Sequence, residues 1–170
     1  MSRATAAVAA LVVLSVCGSG AANAGGIVRY ALPPGVKFPI ARAVAVPAGY
    51  ELIFHSGTGP SPADPKAMQF SAQYWGDMET QTVSVFTNME KSLRQMGLSF
   101  RDVVKMNAYL VGDPKTGRMD FKGFMAGYTR FFGTRAEPDL PARSAVQVAG
   151  LAAPGALIEV EVILAKKIAP

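Results

Sequence analysis

The sequence has 170 residues, half of them hydrophobic, and a formal net charge of +5. That length fits one compact domain and excludes a multidomain assembly on a single chain. The 17 basic side chains are scattered, with only Lys166 and Lys167 adjacent. No basic stripe interleaved with aromatics results, which argues against nucleic acid as a partner.

Taken in chain order, the first segment reads as a secretory signal peptide over 1–24. Arg3 supplies the basic start, 6–16 the apolar run, and Ala22-Asn23-Ala24 the small residues before a cut. The expected destination is the periplasm. The apolar run is short for a membrane span, so no stable insertion is expected after cleavage. Cys17 leaves lipid anchoring as an alternative, although Val16 stands where that cleavage favours a small residue. Once 1–24 are removed, 16 basic side chains face 12 acidic ones, a net +4, and no cysteine remains. Disulfides, thiol nucleophiles and cysteine metal ligands are then excluded.

The expected single domain occupies 25–170. Residues 25–40 are rich in Gly and Pro and read as an arm with a short extended piece at "IVRY". Residues 41–46 alternate, "PAG" makes a turn, and "YELIFHSG" reads as a second strand, which predicts a hairpin. Three prolines and two glycines make 57–68 a loop. Over 77–96, Val83, Phe86, Met89, Leu93 and Met96 recur at spacings of three and four, one stripe of an amphipathic helix. Asp77 suits its N-cap, Glu79 its first turn and Gly97 its stop. Residues 102–112 alternate as a strand. Residues 120–132 carry six apolar side chains, from Phe121 to Phe132, at helical spacing.

Two strands close the chain within 140–165. They are almost wholly apolar, yet one holds Arg143 and the other Glu159 and Glu161. Burying an unpaired charge is very costly. These groups therefore reach solvent, pair with one another, or line a site for a charged ligand. The order β-β-α-β-α-β-β predicts an α+β domain, an antiparallel or mixed sheet covered on one face by two helices. Val160, Val162 and Leu164 alternate with Glu159, Glu161 and Ile163, so both faces of the last strand carry apolar groups. The second face needs a cover, and another subunit is the natural candidate.

The stretch "PARSAVQVAGLAAPGALIEVEVILA" resembles the C-terminal signature of the YjgF/RidA family. "LIFHSG", "DMETQT", "MGLSFRDVVKMNAYL" and "YTRFFG" resemble further family segments, in the same order. The likeness covers about 41–166. It implies a chorismate-mutase-like fold and a homotrimer with ligand clefts between subunits. It also implies hydrolytic deamination of reactive enamines and imines to 2-keto acids and ammonia, without metal or organic cofactor.

On this resemblance Arg143 holds a substrate carboxylate, for which a guanidinium offers a planar fork. Glu159 orients water, while Ser56, Gly57 and the backbone of Ala145 complete the pocket. Glu161 lies on the same strand face as Glu159 and is the alternative carboxylate. Arg143 paired structurally with either glutamate is the competing reading. His55, the one histidine, is expected to point away from Ser56 in a structural role. Three positions depart from the family pattern: Ile40 where Tyr is frequent, Met125 where Asn is, and Ala145 where Cys is. Tyr74 and Trp75 are candidates for replacement contacts or, alternatively, for packing. Two further functions stay open: a non-catalytic trimer binding small carboxylates in the cell envelope, and, more weakly, a ribonuclease or translation inhibitor.

Overall fold

The structure, a computed structural model, describes residues 25–169; the expected signal peptide at 1–24, with Cys17, lies outside the described residues. Strands β1 (Val28–Tyr30), β2 (Ala43–Ala45) and β3 (Tyr50–Thr58) come first. Helices α1 (Ala72–Trp75) and α2 (Met78–Gln95) follow, then β4 (Val103–Val111), α3 (Phe121–Tyr128), β5 (Ala142–Val148) and β6 (Ile158–Lys167). The main sheet is mixed, in the order β3-β6-β4-β5, with β5 parallel to β4 and the other pairs antiparallel. Among the described residues no helix is long and apolar enough to cross a membrane.

One expectation about pairing is corrected. The hairpin of 41–46 with 50–57 does not form: β2 pairs with β1, and β3 pairs with β6. The last two strands, β5 and β6, are separated by β4. The reason is the apolar character of β6 on both sides. Such a strand is most fully buried at the centre of a sheet, where it takes β3 and β4 as neighbours and leaves β5 an edge beside β4.

Helix α2 starts where its cap dictates. Asp77 accepts from the Thr80 amide at 2.8 Å, and Gly97, at a φ of 68°, turns the chain after its end. Its buried stripe is Met78, Thr82, Val85, Phe86, Met89 and Leu93. Phe86, Met89 and Leu93 of the predicted stripe are buried in it; Val83 is only half-buried while Val85 is fully buried, and Met96 is exposed. The second helix ends at Tyr128, short of the predicted 132; Phe131 and Phe132 still reach the core from the turn that follows.

Both helices cover one face of the sheet. Phe86, Met89, Leu93, Phe124 and Tyr128 pack on Met106, Ala108 and Leu110 of β4 and on Val160, Val162 and Leu164 of β6. Each large side chain so buried contributes about 1.5–3 kcal/mol. The opposite face has no cover. Leu52, Phe54 and Val146 stand 50%, 73% and 46% exposed on it. The arm runs back along the β5 side, held by Arg29. That guanidinium donates to the carbonyls of Val103 and Leu140 at 2.9 Å and of Arg101 at 2.7 Å.

Candidate functional site

Strand β5 places Arg143 directly opposite Met106 of β4. Met106 is fully buried on the helix-covered face, so Arg143 points to that face too. There it lies among aromatic rings: its guanidinium carbon is 4.2 Å from the Tyr128 centroid, 5.0 Å from Phe124 and 5.3 Å from Phe38 of the arm. Nη2 donates to the Met125 sulfur at 3.3 Å, and Nη1 is buried with no hydrogen-bond partner. Desolvation pulls the guanidinium below its usual value, with Tyr128 opposing. The side chain starts from so high a value that it stays charged. Burial likewise pushes the Tyr128 hydroxyl well up, so it stays neutral. It donates to the Pro39 carbonyl at 2.8 Å, which fixes the arm over the ring. Cation–π contact with three rings offsets part of the desolvation, worth about 2 kcal/mol where water is excluded.

The second group of residues sits across the sheet. Between His55 and Thr58 the β3–β6 register slips, so Ser56 and Gly57 together face Glu161. This is a β-bulge, a device that re-aims side chains at a sheet edge. The Glu159 carboxylate lies over Gly57, and any Cβ at position 57 would collide with it. A larger residue at 57 would have to displace the Glu159 side chain from this position. Glu161 shares the face of Glu159 but is already committed: it accepts from Asn107 at 2.9 Å and from the Tyr109 hydroxyl at 2.7 Å. Those bonds hold its carboxyl below the usual value and push the Tyr109 hydroxyl up. Of the two glutamates, Glu159 is the one whose carboxylate lies over Gly57 and is not held by other donors.

The predicted site residues therefore fall into two groups within one chain. Ser56, Gly57 and Glu159 gather at the β3 side of the open face. Arg143 and Ala145 lie on β5, at the other edge, facing the helices. Among the described residues no carboxylate pairs with Arg143, so no structural pair with Glu159 or Glu161 forms within one chain. His55 takes the structural role expected of it. Nδ1 faces the Ser56 carbonyl at 2.8 Å and Nε2 the Ser92 hydroxyl of α2 at 2.9 Å. Trp75 packs and donates to the Pro154 carbonyl at 2.8 Å, and Tyr74 stacks edge-on against it. Neither approaches Arg143.

One of the departures meets the arginine, and a second lies nearby on the arm. Met125 contacts the guanidinium directly. Ile40 joins Phe38 in lining a cleft of about 360 Å³ between the arm and residues 138–140. Sequence reasoning did not find the Phe38, Phe124 and Tyr128 rings around Arg143. Phe124 and Tyr128 were visible as an i, i+4 pair, but they read as core; nothing in the pattern tied them to a strand whose partner was unknown. Among the described residues no three His, Cys, Asp or Glu side chains converge as metal ligands.

The family model described as "Endoribonuclease L-PSP" matches residues 37–166. RutC family protein PH0854 of Pyrococcus horikoshii is 34% identical over 109 residues, which span 64% of this chain and 76% of that protein. Against the Lactococcus lactis putative regulator AldR the match covers only 60% of the relative's length, at 40% identity over 86 residues, or 51% of this chain. Among solved structures, Escherichia coli TdcF with bound serine superimposes with a TM-score of 0.53 at 26% identity, covering 79% of this chain and 93% of TdcF.

Proposed function

The chain belongs to the endoribonuclease L-PSP family, and on that premise we propose that it works as a homotrimeric hydrolase of the YjgF/RidA type. It deaminates reactive enamines and imines of amino acids to 2-keto acids and ammonia. The observation that carries this reading is the Arg143 guanidinium, held in place by aromatic rings with one buried nitrogen unpartnered. A buried donor left unpaired is costly, and a ligand carboxylate relieves that cost. TdcF, of the same fold, was solved with serine, a molecule that carries such a carboxylate.

The trimer is part of the proposal for a geometric reason. Arg143 and Glu159 occupy opposite faces of one sheet, Arg143 on the edge strand β5 and Glu159 on the central strand β6, so a single protomer cannot present both to one small molecule. Docking the open face of one protomer against the β5 edge of the next covers Leu52 and Phe54. It also brings a foreign Glu159, with Ser56 and Gly57, toward Arg143. In that cleft the guanidinium holds the substrate carboxylate and Glu159 orients a water. The water oxygen bonds to the imine carbon and its proton passes to the nitrogen. The resulting carbinolamine collapses to a keto group and expels ammonia. Positioning supplies most of what such a step needs. The N-terminal leader supports a site of action outside the cytoplasm, with export as part of the same proposal.

A second reading, a trimer that binds small carboxylates without turnover, is favoured by one observation: the atoms nearest Arg143 are rings and a thioether. The two readings part in one assay. An amino-acid oxidase generates short-lived imines, and keto-acid release is timed. Wild type is expected to accelerate release and Arg143→Ala to lose about 100-fold of that acceleration, as a mis-positioned substrate does. Unchanged decay with both proteins, together with keto-acid binding that Arg143→Ala abolishes, gives the binding reading instead.

A further inference from the structure

The surroundings of Arg143 narrow the substrate class, an inference that rests on the carboxylate role proposed for that residue. We infer that the acid it holds carries an apolar side chain, and that Phe38 and Met125 select for it. A carboxylate docked in a guanidinium fork places its α-carbon and first side-chain atoms in the shell occupied by the groups nearest the guanidinium. Here those groups are the rings of Phe38, Phe124 and Tyr128 and the sulfur of Met125. The polar atom within that shell, the Tyr128 hydroxyl, is already spent on the Pro39 carbonyl. A hydroxyl or amide on the ligand finds no free donor among these groups of the protomer, whereas an apolar side chain loses nothing there, and binding sites discriminate on such differences.

The space beyond has the same character. Phe38 caps Arg143 on one side and on the other forms a wall of the cleft of about 360 Å³. Leu32, Val36, Ile40 and Leu140 supply its apolar lining. Of the charges at its margin, Arg29 and Asp139 pair with each other at 3.5 Å, and Lys37 is the third. A volume of that order accepts a branched or aromatic side chain and is larger than a methyl group needs. Phe38 also stacks on Phe121, at 6.2 Å between centroids, so the aromatic wall continues onto α3.

The test uses the full-length protein and titration calorimetry with three keto acids. 4-Methyl-2-oxopentanoate carries an isobutyl group, 2-oxosuccinamate an amide of nearly the same shape, and pyruvate a bare methyl. Wild type is expected to bind the isobutyl acid at least about tenfold more tightly than either of the others, the usual worth of a matched apolar pocket. Met125→Asn, which restores a polar partner beside the guanidinium, should shift preference at least about fivefold toward the amide. Met125→Leu should leave the wild-type order intact, which separates loss of thioether chemistry from loss of apolar surface. Equal affinity for all three acids, with Arg143→Ala abolishing each, would leave the carboxylate role standing and overturn the apolar preference. No binding of any acid by a folded wild-type protein would remove both.

Discussion

The two faces of the main sheet solve opposite problems with the same strands. On β6, Val160, Val162 and Leu164 are sealed under the helices, while Glu159, Glu161 and Ile163 look outward between them. The sealed face has one charge, Arg143, wrapped in rings and left one hydrogen bond short. On the open face Glu161 is satisfied by Asn107 and Tyr109, Glu159 lies over Gly57 with no such donors, and the large apolar groups are uncovered. Each face thus lacks what the other offers: one has an unpaired cation donor, the other has spare carboxylate and bare hydrocarbon. The proposed trimer, in which the face of one copy meets the edge of another, would supply each with what it lacks.

The contrast breaks most visibly through stability. Phe86 is fully buried and touches Phe100, Tyr128, Phe131 and Phe132. Phe86→Ala should cost about 3–5 kcal/mol in urea unfolding, whatever the protein concentration. Phe54→Ala, on the open face, should change the stability of dilute protomers by about 0.5 kcal/mol or less. Its effect should appear in sedimentation, as weaker self-association. Comparable losses from both variants in dilute solution would mean that the open face is packed within the protomer, and the contrast would fail.

A smaller effect, of opposite sign, is expected inside the sealed face. Arg143→Met keeps an apolar stem among the rings and removes a donor that has no partner. Stability should rise by about 1 kcal/mol, because replacing a buried charge with a packed hydrophobe is often neutral or favourable. Keto-acid binding should vanish in the same variant. A loss of stability above 1 kcal/mol would show that the cation–π contacts hold the fold, and would weaken the case that the arginine is kept for a ligand.

Much of this was legible from the residues alone, for reasons the structure makes concrete. The N-cap at Asp77 and the stop at Gly97 are local chemistry, fixed by one side chain and one backbone conformation, and they fall where the sequence places them. Alternation on β6 set the sealed and open faces correctly, and alternation on β3 turned His55 toward Ser92. Pairing was not legible. Nothing local in 41–57 forbids a hairpin; β3 goes to β6 because a strand apolar on both faces competes for the central position. The site suffered from the same gap. Arg143 and Glu159 were identified by motif, but placing them on opposite faces required the parallel β4–β5 register, which brings Arg143 level with Met106. The bulge at Ser56-Gly57 was hidden for a similar reason, since a register slip belongs to two strands at once.

The finest test concerns protons on the open face. The Glu161 carboxyl is held below its ordinary 4.5 by the bonds from Asn107 and Tyr109, and the Tyr109 hydroxyl is held above its ordinary 10.0, first of all by the bond to Glu161. A depressed carboxyl pKa stabilises the folded chain at every pH above the unfolded value, and that contribution fades as pH falls through the folded value. A raised phenol pKa contributes below the unfolded value, and its contribution fades as pH climbs through the folded one. The pair therefore supports the open face across the whole neutral range and loses effect toward both extremes. Tyr109→Phe removes one of the two donors, so the Glu161 titration followed by carboxyl NMR should move up toward 4.5. The Arg143 surroundings, across the sheet, should not respond. Asn107→Ala should move Glu161 the same way and by more, because the Asn107 bond is the larger of the two causes. If neither variant moves the carboxyl, Glu161 is not tied down by these donors. It would then rival Glu159 for the water-orienting role.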